Sequence, residues 1–313
     1  MIPEMAPEGP TTDEAVPATA ERSDAAVVGE RPLRRFIRRF RRERLAVVAL
    51  IVLALFVAAS ALAPVLAPYD PNAQNLANLL APPGSEGHLL GTDHLGRDIV
   101  SRLLYGGQVS LLAAVQAVAV GAALGVVPGL LAGYLGGRTD WLIMRVTDTM
   151  MSFPPLILAM TVIAALGPGL VNAMIAIGIL FAPRFLRMAR SAVLAVREEV
   201  FVEAARSMGI PRWQIMSRHI VPHTVAPLTV TISVLASHAM LAEAALSFLG
   251  LGVQPPDASW GVLIAIGYQN IFTAPDMILW PGLCIGVVVL AFNLLGDGIR
   301  DSLGRETRHP VKE

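Results

Sequence analysis

The chain has 313 residues, 54% of them hydrophobic and only 15% charged, with a mean hydropathy of +0.60. A soluble globular domain carries roughly a quarter charged residues, so these figures exclude an ordinary water-soluble body. The balance of 24 basic against 24 acidic residues excludes a nucleic-acid binder built on bulk positive charge. Lys312 is the one lysine and Cys284 the one cysteine. That excludes a Walker A phosphate loop, an intramolecular disulfide and a cysteine-based zinc or iron–sulfur site.

Residues 1–30 are rich in Ala, Pro, Glu and Asp and read as a disordered cytoplasmic tail. An arginine cluster follows (Arg31, Arg34, Arg35, Arg38, Arg39, Arg41, Arg42 and Arg44), and then 22 uncharged residues, Leu45–Leu66. A signal h-region is 7–15 residues long, whereas about 20 apolar residues cross a bilayer. Leu45–Leu66 is therefore an uncleaved first span rather than a twin-arginine export signal. It belongs with the basic segment and an external segment to a unit at 31–106.

The external segment, about Ala67–Gln108, contains Gly91-Thr92-Asp93-His94-Leu95-Gly96-Arg97-Asp98. The second span, at about Val109–Tyr134, sets Gly121, Gly125, Gly129 and Gly133 four residues apart. This small-residue stripe lets another helix come close, and packing inside the subunit is the preferred reading. A further 35 uncharged residues, Thr149–Pro183, are interrupted by Gly167-Pro168-Gly169. A straight helix of that length would run on the order of 50 Å, too long for one crossing. Folding it into a hairpin puts Arg184, Arg187, Arg190, Arg197, Arg206, Arg212 and Arg218 on the same side as the amino-terminal cluster, as the positive-inside rule requires. Two more spans follow at about Val225–Ala242 and Met277–Leu295. The expectation is an all-α membrane protein with six transmembrane helices and both termini cytoplasmic. Its core would be 107–298, with a cytoplasmic loop at 184–222 and a tail at 299–313. Only Arg97 and Arg102 of the 24 basic residues then lie outside.

Within the loop, Glu199–Met208 reads as a short helix that Gly209 ends in the left-handed region. Pro211 suits the first turn of a second helix. The result is an elbow projecting from the membrane, with small Ala204 and Ala205 leaving room for close contact. Such a helix either enters a partner's groove or lies on anionic headgroups through its arginines. Physical chemistry alone leaves both open.

The run Glu203-Ala204-Ala205-Arg206-Ser207-Met208-Gly209, followed nine residues later by His219-Ile220-Val221-Pro222, resembles the EAA loop of permeases in binding-protein-dependent ABC importers. The family pattern closes on I-x-L-P. His219 and Val221 depart from it in a way similar to the peptide/nickel branch. Gly91–Asp98 with Ser101-Arg102, Glu243–Gly252 with Pro255-Pro256 and Ser259-Trp260-Gly261, and Phe292–Asp301 resemble that branch's dipeptide/oligopeptide "C" permease. The resemblance spans about residues 32–303. It implies the type I importer transmembrane fold and a non-catalytic subunit of the cytoplasmic (inner) membrane. It also implies a second permease subunit, two ATPase domains that bind ATP and Mg, and an external substrate-binding protein. Glu203, Ala204, Ala205, Arg206, Gly209 and Pro222 would form the ATPase-docking site, and the cargo would be a di- or oligopeptide. Nickel and glutathione are the alternatives within the branch. A channel or secondary transporter without an ATPase is the alternative outside it, disfavoured by the elbow and by the lack of an internal repeat.

Ionisable groups at membrane depth are functional candidates by default. His238 and Glu243 fall at the external end of the fifth span, where they would line a substrate path. For Glu243, local pairing with Arg97 or Arg102 is the favoured reading. Asp148 and Asp297 each have an arginine three residues away, Arg145 and Arg300, as structural partners. His88 and His94 carry no metal assignment, and the spans contain no recognisable hydrolase dyad or HExxH.

Overall fold

A computed structural model describes residues 32–85 and 87–304. The tail at 1–30, and the end of the chain beyond Gly304, lie outside the described residues. Helix α1 (Pro32–Phe40) is separated by a turn from α2 (Arg44–Ala61), and a short α3 (Ala63–Leu66) follows at once. α2 turns small Ala46 and Ala49 inward and leaves Leu45, Val48, Ile51 and Leu55 exposed, the pattern of a helix whose outer face meets lipid.

After the Ala67–Asp98 segment comes α4 (Ile99–Leu135), whose 37 residues make about 55 Å. It begins ten residues earlier than the apolar run suggests, because the Asp98 carboxylate accepts a hydrogen bond from the Ser101 backbone N–H and caps it. The division expected at 106/107 therefore falls inside one continuous helix. α5 (Gly137–Met151) and α6 (Pro155–Leu166) meet at 93°. α6 is the first leg of the expected hairpin, and Gly167–Gly169 turns the chain into α7 (Leu170–Val196). That leg is short, about 18 Å for its 12 residues, because Ser152, Phe153 and Pro154 break the helix. Among the described residues, five helices are long and apolar enough to cross a membrane, and the bent α5–α6 pair makes a sixth candidate.

The hinge from α7 leads to α8 (Val200–Ser207), α9 (Arg212–Ile215) and a π-helical turn, Met216–Ile220. Then come α10 (Val221–Phe248), a ten-residue α11 (Trp260–Gln269) and α12 (Asp276–Gly304). The loop expected at 184–222 thus starts only after Val196, with Arg184, Arg187 and Arg190 on the last turns of α7. The last helix also runs past 298. Among the described residues the strand content is limited to two isolated bridges, Ser85 with His88 and Thr92 with Asp98.

The core lies where α4 packs along α7, and the four-residue glycine stripe lies at that contact. A β-carbon at Gly121 would stand 2.8 Å from the Phe181 Cβ, one at Gly129 2.8 Å from the Ala189 Cβ, and one at Gly133 2.8 Å from the Val193 Cβ. Gly178 of α7 returns the contact under Val120 of α4. α5 is riveted to α7 by two ion pairs. Arg190 grips Asp140 in bidentate fashion at 2.5 and 2.7 Å, and Arg187 donates to Asp148 at 2.6 Å. Asp148 therefore pairs across helices rather than with Arg145, because packing brings the Arg187 guanidinium to it directly. Asp297 and Arg300 are both exposed and form no ion pair among the described residues.

Candidate functional site

The elbow is built from a helix stop of defined geometry. The Gly209 N–H donates to the Arg206 carbonyl at 3.0 Å, and the Ile210 N–H reaches back to the Ala205 carbonyl at 3.2 Å. With Gly209 at φ +73°, these two bonds make a Schellman motif, which ends α8 and reverses the chain. Pro211 takes the cap position just ahead of α9 rather than its first turn, and Pro222 sits exposed in the first turn of α10. Val193 of α7, Val202 and Ala205 of α8, Ile215 and Ile220 form a small separate core, with Leu130, Tyr134, Val196 and Ile210 around it. The elbow is therefore moored to the ends of α4 and α7, and is not a loose loop.

This mooring divides the faces of α8. Val202 and Ala205 look inward, and Ala205 is 1% exposed. Its small size serves the elbow's own packing rather than an outside contact. Glu203 and Ala204 look outward with Val200 and Met208, which are 79% and 71% exposed. Arg206 lies on one flank, and on the other Phe201 stacks on His223 with ring centres 5.4 Å apart. Trp213, 67% exposed, is a further large apolar side chain left bare on α9, the next helix of the elbow. Neither Trp213 nor the phase of α8 is legible in an EAA-type pattern, although Val202 and Ala205 at i and i+3 carry the phase.

Glu243 and His238 are not brought together. Glu243 is 0% exposed. It accepts hydrogen bonds from the Ser110 hydroxyl of α4 at 3.0 Å and from the Ser247 hydroxyl one turn on at 2.7 Å. Ser110 in turn accepts from the Trp260 backbone N–H at 3.1 Å. A serine cage thus satisfies the carboxyl, and neither expected arginine reaches it. Arg97 and Arg102 gather instead on Asp93, at 2.7 and 3.6 Å. Asp98 bonds His88 at 3.0 Å. Burial pulls the neighbouring His94 imidazole below its ordinary pKa against the opposing pull of Asp93. His238 is exposed on another face of α10, with Nδ1 2.8 Å from the Val234 carbonyl. It lines a largely apolar cavity of about 220 Å³ with Met150, Phe153, Ile177, Phe181 and Leu246. The buried Asp93–Arg97–Arg102 group escaped sequence reasoning, because Asp93 and Arg97 sit on a turn ahead of α4, where helix-face spacing gives no signal.

Long apolar helices with a packed elbow between α7 and α10 are the architecture of a polytopic membrane protein. Residues 125–309 match the family described as the inner membrane component of binding-protein-dependent transport systems. Residues 31–83 match the N-terminal transmembrane domain of oligopeptide transport permease C. The chain belongs to this family of inner membrane transport components and is a multi-pass inner membrane protein. It is 42% identical over 272 residues to the glutathione transport system permease protein GsiD of Pectobacterium atrosepticum, covering 87% of this chain and 90% of that one. It is also 42% identical over 289 residues to the di/tripeptide transport system permease protein DppC of Pseudomonas aeruginosa, covering 91% and 95%. The MetNI methionine ABC transporter, in inward facing conformations, shares the fold at a TM-score of 0.53 and 18% identity, covering 65% of this chain and 96% of the matched one.

Proposed function

We infer that the chain is a permease subunit of an ATP-driven importer of short peptides, the cargo class that includes dipeptides, oligopeptides and glutathione. Its partners are a second permease, two ATPase domains holding ATP and Mg, and an external binding protein. The chain itself performs no chemistry. Both termini and the elbow lie on the cytoplasmic side, where the positive-inside rule puts 22 of the 24 basic residues. One observation carries this reading: α8 is locked on its inner face and bare on its outer one. An unpartnered apolar surface of this kind marks an interaction site. Val200, Glu203, Ala204 and Met208 meet the ATPase, and Gly209 sets the angle at which they do so. Because Val202 and Ala205 key α8 into the ends of α4 and α7, a displacement of α8 by a closing ATPase is passed to both spans rather than absorbed by a flexible loop.

The test compares two neighbouring alanines in the reconstituted transporter. Ala204→Trp adds bulk on the outer face, and is expected to keep normal subunit abundance while reducing ATPase association at least tenfold and abolishing transport-coupled ATP hydrolysis. Ala205→Trp adds bulk inside the elbow core and should lower abundance as well. Wild-type transport by the Ala204→Trp protein would refute the docking face and leave α8 as a helix resting on headgroups. For the cargo, deletion of the subunit should abolish uptake of labelled di- and tripeptides. Unchanged peptide uptake, with loss of nickel uptake instead, would overturn the peptide assignment.

A further inference from the structure

Arg184, Arg187 and Arg190 follow one another three residues apart on α7, and only two of them have partners. Asp148 of α5 takes Arg187, and Asp140 takes Arg190. α5 then ends at Met151, and the Ser152–Pro154 break carries the chain into α6 before a third carboxylate can face Arg184. Arg184 is exposed and forms no hydrogen bond or ion pair among the described residues. It lines the same cavity of about 220 Å³ as His238, and no carboxylate stands among the lining residues. Its level adds a second constraint. A β-carbon at Gly125 would stand 2.8 Å from the Phe185 Cβ, which sets Arg184 beside the Leu124–Gly125 part of α4. About 15 Å of α4 follows before that helix ends at Leu135. A bare guanidinium turned to acyl chains at this level is costly, so it faces water, a ligand or a partner.

The rest of the wall is apolar and adaptable: Met150, Met151 and Phe153 at the bend, Phe181 of α7 and Leu246 of α10. Methionine reshapes itself around side chains of different form. His238 supplies a second polar point. Its Nδ1 lies 2.8 Å from the Val234 carbonyl, which can only accept, so Nδ1 carries the hydrogen and Nε2 of the neutral ring is an acceptor. We propose that this cavity binds the carboxyl-terminal residue of a short peptide during its passage. Arg184 takes the terminal carboxylate in its guanidinium fork, His238 Nε2 accepts the peptide N–H, and the methionines and phenylalanines receive the side chain. The proposal rests on the short-peptide cargo. Every such peptide offers the same carboxylate while its side chains vary, which matches one fixed cation in an adaptable wall. The volume falls below the about 300–1,000 Å³ of pockets for drug-sized ligands, so it suits one residue and its end group rather than a whole peptide. A carboxylate of the second permease would satisfy Arg184 and leave the rest of the cavity empty. The wall also spans the 93° bend, with Met150 and Met151 on α5 and Leu156 and Ala159 on α6. A change in that angle would open the cavity and release the residue.

The experiment uses the complete transporter in nanodiscs without nucleotide. The probe is a dipeptide with a free carboxylate whose second residue is the photoreactive p-benzoylphenylalanine. After illumination, the attachment points are located by mass spectrometry. Wild type should be labelled within Met150–Phe153. Unlabelled alanyl-phenylalanine should suppress this labelling, and its carboxamide should do so at least about tenfold less well, the effect expected of losing a charged hydrogen-bond partner. R184Q should lower the labelling by a similar factor, R184K should keep part of it through its point charge, and R138Q, with the same loss of charge at another exposed arginine, should leave it unchanged. The comparison of acid with amide is made on wild type, so it stands even where R184Q fails to assemble. Equal competition by acid and amide, or wild-type labelling of R184Q, overturns the proposal. It also falls if R184Q releases the second permease while assembled R184Q is labelled normally, which would give the arginine to that partner. Uptake of the same dipeptide into proteoliposomes separates the two readings. Wild-type uptake without labelling at Met150–Phe153 sinks this site alone, whereas a wild type that carries no peptide sinks the cargo assignment and the site with it.

Discussion

Gly209 shows how much one residue decides at the elbow. A β-carbon there would meet nothing within 4 Å, so crowding plays no part in the need for glycine. The requirement comes from φ +73°, a conformation that costs an L-residue about 1–2 kcal/mol. Gly209→Val should therefore weaken the stop by that amount, and Gly209→Asn, which tolerates the left-handed region, by distinctly less. Hydrogen exchange at the Gly209 and Ile210 amides reads this out, since both depend on the Schellman bonds. Wild-type protection in the valine variant would mean that the stop does not rely on this geometry. The neighbouring alanines make a complementary point. Residue type alone marks Ala204 and Ala205 as a pair suited to contact, yet helical phase sends one outward and the other into the elbow core.

At the scale of elements, a different group of glycines matters, for a different reason. A β-carbon at Gly125 would strike the Ala182 backbone carbonyl of α7, and would sit 2.8 Å from the Phe185 Cβ and 3.0 Å from the Leu186 backbone nitrogen. Backbone cannot swing aside as a side chain can. Gly125→Ala should force α4 and α7 apart and cost about 1–3 kcal/mol, the range for overpacked cores. Gly286→Ala in α12, with no atom within 4 Å of the added carbon, should be neutral or stabilise slightly. Thermal unfolding of the detergent-solubilised chain compares the two, and equal melting temperatures would contradict the account of α4–α7 packing. The same scale shows what could be read beforehand. Long uncharged runs located α2, α4, α7, α10 and α12, because a bilayer span needs a length of apolar sequence that little else in a protein requires. α11 escaped because ten apolar residues fall below that length. The short α6 was blurred by an uncharged run that continued through the Ser152–Pro154 break. Arg187 as the partner of Asp148 and Ser110 as a partner of Glu243 escaped because they lie 39 and 133 residues away in sequence, where spacing rules for a helix face say nothing. Ser247, four residues from Glu243, was within their reach.

For the whole molecule, the orientation of the bundle in the membrane decides what each end meets. The topology proposed from the arginine distribution puts Ser191, exposed near the end of α7, on the cytoplasmic side. The test starts from a chain in which Cys284 has been replaced, so that Ser191→Cys supplies the one thiol. That thiol should resist a membrane-impermeant maleimide in intact cells and react once the membrane is opened. Labelling from outside intact cells would invert the topology, and the ATPase-docking reading would fall with it.

The serine cage around Glu243 bears on how such a bundle can move. The carboxyl ties α10 to α4 through Ser110, and Ser110 ties α4 to the start of α11 through the Trp260 amide. A slide of α10 by a single residue, about 1.5 Å, would pull these contacts out of register and strand several polar groups away from water. Each stranded group costs about 1–3 kcal/mol. The three helices are thereby clamped in one register and travel as a single lever. A rearrangement of the chain has to pivot elsewhere, and the 93° bend between α5 and α6 lies outside this clamp.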